Sequence, residues 1–274
     1  MATAKDIVLK PIDAHSAREF VKRVHYSGKV AQNSQIHIGA FLNDKLEGVM
    51  QFGPSLDKRK IQGLVRDTGW NEFIELNRMA FTDALPRNSE SRAIGIAMRL
   101  LKQHAPQVKW VISFADGTQC GDGTIYRASG FVLTGINFNS SIWVLPNGES
   151  VRENTIRQSG YTSWLEPFIS KAKFDELRNG GSASAAVFKY LETKGAQRLE
   201  GAQLRYIYFI DPSYRARLTV PELPFSEIER RGASMYKGEK ISRARAETET
   251  GGASSIETGG ANPTRALQPE IQDG

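Results

Sequence analysis

A single cysteine, Cys120, is the only thiol in 274 residues, so no intrachain disulfide can form and the chain fits a reducing compartment. No run of about 18 apolar residues occurs, which excludes a membrane-spanning helix. Met1 to Asp6 lack the apolar core of a secretory signal. Cytoplasmic localisation is the resulting expectation. Histidine is scarce, and His25, His37, His104, Asp116 and Cys120 show no ligand spacing, so no metal site is predicted. No internal repeat is present.

What remains is an ordinary globular composition, 40% hydrophobic and 24% charged, long enough for one large domain or two small ones. The net charge of +6 leans toward a polyanionic partner.

The strongest pattern runs from Phe73 to Phe131. Phe73 to Phe81 reads as a strand and Thr82 to Ser89 as a turn. Glu90 to His104 reads as a helix, with Ile94, Ala97, Met98 and Leu101 on one face. Pro106 closes it, and the nearly all-apolar run Val108–Asp116 suits a strand buried on both faces. Strand, helix, strand is a parallel crossover that leaves Asp116 at a carboxyl strand end, where open α/β sheets hold ligands.

Upstream, Asp6 to Pro11 reads as a strand, and Ser16 as the cap of a helix that stops near Gly28. Ile36–Leu42 and Leu46–Phe52 flank a short turn. Pro54 to Asp67 is a basic, partly helical connector. Downstream, Thr124 to Ser129 reads as a short helix closed by Gly130, followed by a strand pair over residues 131–135 and 141–145. A weakly patterned region precedes a helix over residues 182–194 and a strand over 203–210. The expected division is a catalytic domain over 1–215, a basic irregular extension over 216–245 and a disordered tail over 246–274.

Several side chains are candidates for chemistry. Asp116 is either a carboxylate at the rim of a site or a turn residue before Gly117. Arg78 interrupts an apolar alternation with Leu76 and Ala80 and needs a partner, with Glu75 and Asp116 the candidates. Asn88, Ser89 and Ser91 read as helix caps, yet the same helix start with Arg92 can hold an anion. His25 and Tyr26 fall in a polar corner after the first helix; Tyr26 can stack on a base. Lys58, Arg59, Lys60 and Arg66 are either phosphate contacts or a solvated charged loop.

The order of elements resembles the GNAT acyltransferase fold, a mixed, mostly antiparallel sheet flanked by helices around a parallel strand-helix-strand unit. Tyr126-Arg127-Ala128-Ser129-Gly130-Phe131 is similar to the GNAT signature that closes the acyl-CoA pocket. More specifically, His25-Tyr26-Ser27-Gly28-Lys29, Phe52 to Arg59, Leu76-Asn77-Arg78-Met79-Ala80, Pro86 to Arg92, Ser113 to Tyr126 and Gln203 to Phe209 resemble the bacteriophage Mom family. That resemblance implies an enzyme that converts adenine in double-stranded DNA to its N6-carbamoylmethyl form, shielding phage DNA from restriction in the host cytoplasm. It also implies a flipped adenine, Asp116 as base, Tyr126 as proton donor and acetyl-CoA or a related acyl-CoA as cofactor, bound by Arg78, Asn88, Ser89, Ser91 and Arg92. The loop before the helix departs from common GNATs in lacking glycines. An N-acetyltransferase for a small-molecule or protein amine is the competing reading.

Overall fold

The computed structural model describes residues 2–117, 121–153, 156, 160–178, 183–233, 235–236 and 239–240. Cys120 and the tail over 246–274 lie outside them.

Eight strands form one sheet: β1 (Val8–Pro11), β2 (Ile36–Leu42), β3 (Lys45–Gly53), β4 (Phe73–Phe81), β5 (Trp110–Asp116), β6 (Val132–Val144), β7 (Ser150–Arg152) and β8 (Gln197–Phe209). Their order is β1-β2-β3-β4-β5-β8-β6-β7. Only β4 and β5 run parallel; every other neighbouring pair is antiparallel. This is the mixed, mostly antiparallel sheet expected from the sequence.

Helices cover both faces. On one face lie α1 (Ala14–Val24) and α2 (Lys58–Gln62). On the other lie α3 (Ser89–His104) and α4 (Thr124–Ala128). Strand alternation assigns the layers. Ile74, Leu76, Val111 and Ala115 pack with Ile94, Ala97, Met98 and Leu101 of α3. Phe73, Trp110 and Ile112 point the other way, onto Ile61, Leu64 and Val65 at α2. Phe20 and Val21 of α1 meet Val49 and Ala80 on that same face.

Several boundaries differ from expectation. Asp13, not Ser16, caps α1: its Oδ1 accepts from the Ser16 amide at 2.8 Å. The helix therefore starts one turn early and ends at Val24, ahead of Gly28. The expected strand pair over 131–145 is one continuous strand, β6, because its Asn-rich middle is held by backbone pairing to β8, which does not read side chains. β8 likewise begins at Gln197 rather than 203.

Between β6 and β8, α5 (Lys171–Arg178) and α6 (Ala183–Thr193) build a separate small core with Trp143, Leu145, Leu165, Phe174 and Phe188. Pro146, Pro167, Phe168, Tyr190 and Lys194 line a shallow cavity of about 420 Å³ on this insert. Past Tyr214 the chain continues to pack: Leu223 N donates to Leu133 O at 2.8 Å, and α7 (Ser226–Arg230) buries Ile228 in the main core.

Candidate active site

The parallel strands β4 and β5 pair only where Phe73–Glu75 face Trp110–Ile112. One further tie joins them, from Ser113 Oγ to Leu76 O at 3.3 Å. β4 then runs on to Phe81 and β5 to Asp116 with no further ladder between them among the described residues. Past that point the strands are unpaired toward their carboxyl ends, a slot in the ladder flanked by α1 and α2 on one face and by α3 and α4 on the other.

On the α1 face, a bulge sets which side chains are presented. Gln51 pairs with Arg78 and Phe52 with Leu76, so Asn77 is an extra residue in β4. It reverses the side-chain phase, placing Arg78 with Ala80 and Val49 on the α1 face and leaving Leu76 with the α3 core. Arg78 therefore does not interrupt the Leu76 face, as plain alternation predicts. Its guanidinium donates to two carbonyls, Lys29 O at 2.9 Å and Asn77 O at 2.6 Å, and so ties the corner after α1 to β4.

That corner holds His25 and Tyr26, whose ring centroids lie 4.3 Å apart. Ser27 N donates to His25 Nδ1 at 3.2 Å, and Ser27 Oγ lies 2.9 Å from the same nitrogen. Because a backbone amide can only donate, Nδ1 accepts and the neutral ring carries its proton on Nε2. Burial, with the Arg78 charge nearby, lowers the His25 pKa to about 4. At neutral pH His25 is thus an uncharged Nε2–H donor rather than a base. Tyr26 is exposed, 54%, as a stacking surface requires.

Glu75 faces the same side. Burial raises its pKa, opposed by hydrogen bonding to Ser55 and Asn77 and by the Arg78 charge. Asp116 continues the row Trp110, Ile112, Phe114 and so lies on this face by alternation, opposite Gln203 of β8.

On the α3 face, Asn88 adopts a left-handed conformation, φ 68°, and makes no side-chain cap to α3. Ser91 Oγ instead donates to Asn88 O at 3.2 Å. Ser89 is fully buried, and its Oγ has no hydrogen-bond partner among the described residues. The first-turn amides therefore have no side-chain acceptor from the cap residue. Tyr126 packs against Phe131 and Tyr206, each 5.3 Å away between centroids, and so lies on this side of the sheet. Gly123 starts α4 at φ 73°, and a Cβ there would meet Tyr206 Cε2 at 2.6 Å; only glycine meets both demands. The Tyr206 hydroxyl donates to Asp122 O, locking the loop that carries Tyr126.

Sequence reasoning brought Asp116 and Tyr126 together as one centre; the fold puts them on opposite faces of the slot. His25, Tyr26, Arg78 and Asp116 share one face, and Asn88, Ser89, Ser91, Arg92 and Tyr126 the other. Of the basic residues, Lys58 is half-buried, its Nζ 4.5 Å from the Trp70 ring centroid and 5.6 Å from that of Phe73. Arg59, Lys60 and Arg66 are exposed. Glu75 as a site carboxyl and Asn77 as a bulge residue were missed. Neither has a local signal, because both depend on how β3 pairs with β4. Among the described residues no group of three or more His, Cys, Asp or Glu side chains is arranged to hold a metal ion.

A partly paired parallel strand couple, with α3 across one face and the His25–Tyr26 corner on the other, is the candidate active site of this mixed α/β sheet. The chain belongs to the Mom protein family, whose profile matches residues 6–227. It is 37% identical over 216 residues to the methylcarbamoylase Mom of Escherichia phage Mu, covering 78% of this chain and 80% of that protein. Among solved structures it is similar to a Bacillus subtilis acetyltransferase in complex with CoA (TM-score 0.38, 11% identity, 74% of this chain and 97% of that one). It is also similar to a spermidine/spermine N-acetyltransferase from Vibrio cholerae in complex with manganese ions (TM-score 0.41, 7% identity, 78% and 99%).

Proposed function

We propose that this protein is a transferase that converts adenine in double-stranded DNA to its N6-carbamoylmethyl form, with the adenine entering from the α1 face and the group donor from the α3 face. The observation that carries the reading is the two-faced slot between β4 and β5 in a chain 37% identical to a methylcarbamoylase.

On the acceptor face each residue has a role its geometry supports. Adenine N6 is paired inside the duplex, so the base must leave the stack to be reached. Tyr26, exposed beside His25, stacks on it, and the His25 Nε2–H donates to a ring nitrogen. As N6 forms its bond to the incoming methylene carbon, the bond from that carbon to the donor's leaving group breaks with its electron pair going to the leaving group, and one N6 proton passes to the Asp116 carboxylate. Arg78 holds the corner in place through its two carbonyl contacts.

An acyl-CoA is the donor class that the GNAT resemblance implies, and the α3 face fits one. The start of α3 has no side-chain cap, Ser89 Oγ is unsatisfied, and Arg92 sits in the first turn. Asn88 supplies the left-handed turn without glycine. Bound there, such a donor would supply an activated acyl group, and Tyr126 would stand on its side of the slot. Plain acetyl transfer leaves an N6-acetyl group, whereas the carbamoylmethyl group is joined through its methylene. A rearrangement or a different donor is therefore required.

Nucleoside mass spectrometry on plasmid DNA from expressing cells tests this reading. Part of the deoxyadenosine should carry the mass of a carbamoylmethyl adduct, and none should in an Asp116→Asn strain with equal soluble protein. An acetyl adduct would replace the reading with simple acyl transfer. Unmodified adenine would overturn it in favour of a small-amine acetyltransferase.

A further inference from the structure

The loop from β3 to α2 carries a leucine that the fold leaves outside. Leu56 is 97% exposed; the next most exposed large apolar side chain among the described residues is Phe138 at 57%. Its neighbours on both sides are pinned. Asn33 Nδ2 donates to Pro54 O at 2.5 Å. A Cβ on Gly53 would meet Asn33 O at 2.5 Å, so the chain leaves β3 against a wall. Ser55 is buried, and Asp57 caps α2 by accepting from Lys60 N at 3.3 Å. Lys58 lies on Trp70. Leu56 is therefore presented outward by a braced loop.

Its position relates it to the acceptor face. Gly53 pairs with Glu75, which lies on that face with Arg78. Leu56 lies three positions beyond Gly53, a reach of at most roughly 10 Å along the chain. The exposed cations Arg59 and Lys60 follow in α2, after the cap residue Asp57 and Lys58. An apolar tip next to cations suits a duplex, with stacked bases inside and phosphates outside. Extruding a base opens a gap in the stack, and apolar side chains such as leucine are the groups that enter base steps.

We propose that Leu56 is a wedge that enters the base stack of duplex DNA and occupies the space left by the extruded adenine, with Arg59 and Lys60 on the flanking phosphates. This inference rests on the adenine-modification reading above.

The test uses purified full-length protein, an extract of cells lacking it as the donor source, and one adenine-containing 30-mer offered as duplex or as single strand. Nucleoside mass spectrometry reads modified adenine. Leu56→Ala should lower modification of the duplex at least tenfold and that of the single strand less than twofold, because an unstacked base needs no wedge. Leu56→Phe should restore most of the duplex activity. Since Leu56 packs against nothing, both variants should melt within about 1–2 °C of wild type. An active wild-type protein with Leu56→Ala equally active on duplex, or equally impaired on both strands, overturns the wedge alone. A wild-type protein that modifies neither substrate, and whose expression leaves plasmid adenine unmodified, overturns the adenine reading beneath it.

Discussion

Replacing His25 by asparagine isolates the ionisation built into the corner after α1. In the fold its pKa is about 4, against 6.5 for the ordinary group. Between those values the unfolded chain takes up a proton that the folded chain refuses, so stability falls as pH drops through this window. At about 1.4 kcal/mol per pH unit the full gap corresponds to about 3 kcal/mol as an upper bound, since the ring is only part-buried. Asparagine cannot titrate, yet its Oδ1 can accept the Ser27 amide that Nδ1 accepts now. In a domain this size about 1 kcal/mol moves the melting temperature by roughly 2–4 °C. Wild type should therefore lose more than His25→Asn between pH 7 and pH 4.5, by a few degrees and at most roughly 10 °C, by scanning calorimetry. Glu75, whose raised pKa acts with the opposite sign, is present in both proteins and largely cancels. Parallel curves, or an imidazole resonance titrating near 6.5, would show that His25 is not desolvated and that its role as a fixed Nε2–H donor is wrong.

Gly123→Ala should cost about 2–3 kcal/mol, through both the left-handed backbone and the Tyr206 contact. Gly121→Ala, at φ 79° with nothing within 4 Å, should cost clearly less by chemical denaturation, and equal losses would remove the contact from the account. Arg59→Ala and Lys60→Ala should each reduce the slope of log K against log salt for duplex DNA by about 0.9. Lys58→Ala should leave that slope unchanged and lower stability by about 0.5–1 kcal/mol, because its ammonium sits on Trp70 and Phe73.

The β4–α3–β5 unit was legible because its periodicity is strong and local. Phe73–Phe81 was placed to the residue, and the four apolar positions predicted for α3 are all buried. The full length of β6 was not legible, since Asn137, Phe138 and Asn139 lack the alternation and are held by the ladder to β8. Which face Arg78 occupies was also hidden. Counting by twos from Leu76 puts it in the α3 core, and the extra residue Asn77, visible only in the pairing with β3, moves it to the α1 face.

The same limit applied to the site as a whole. Motif order points to Asp116 and Tyr126, but a motif has no faces. The sheet separates them, and that separation has a chemical use. In the proposed reaction a flexible, charged donor and a flipped base would meet only through the slot, so neither would have to cross the other's binding surface. Widening the slot requires β4 and β5 to stay unpaired past Ile112, and the Asn77 bulge acts at that point: it lies in β4 two residues after Glu75, where the parallel ladder stops. One inserted residue thus does two jobs, turning Arg78 toward the corner it holds and disturbing β4 where it parts from β5.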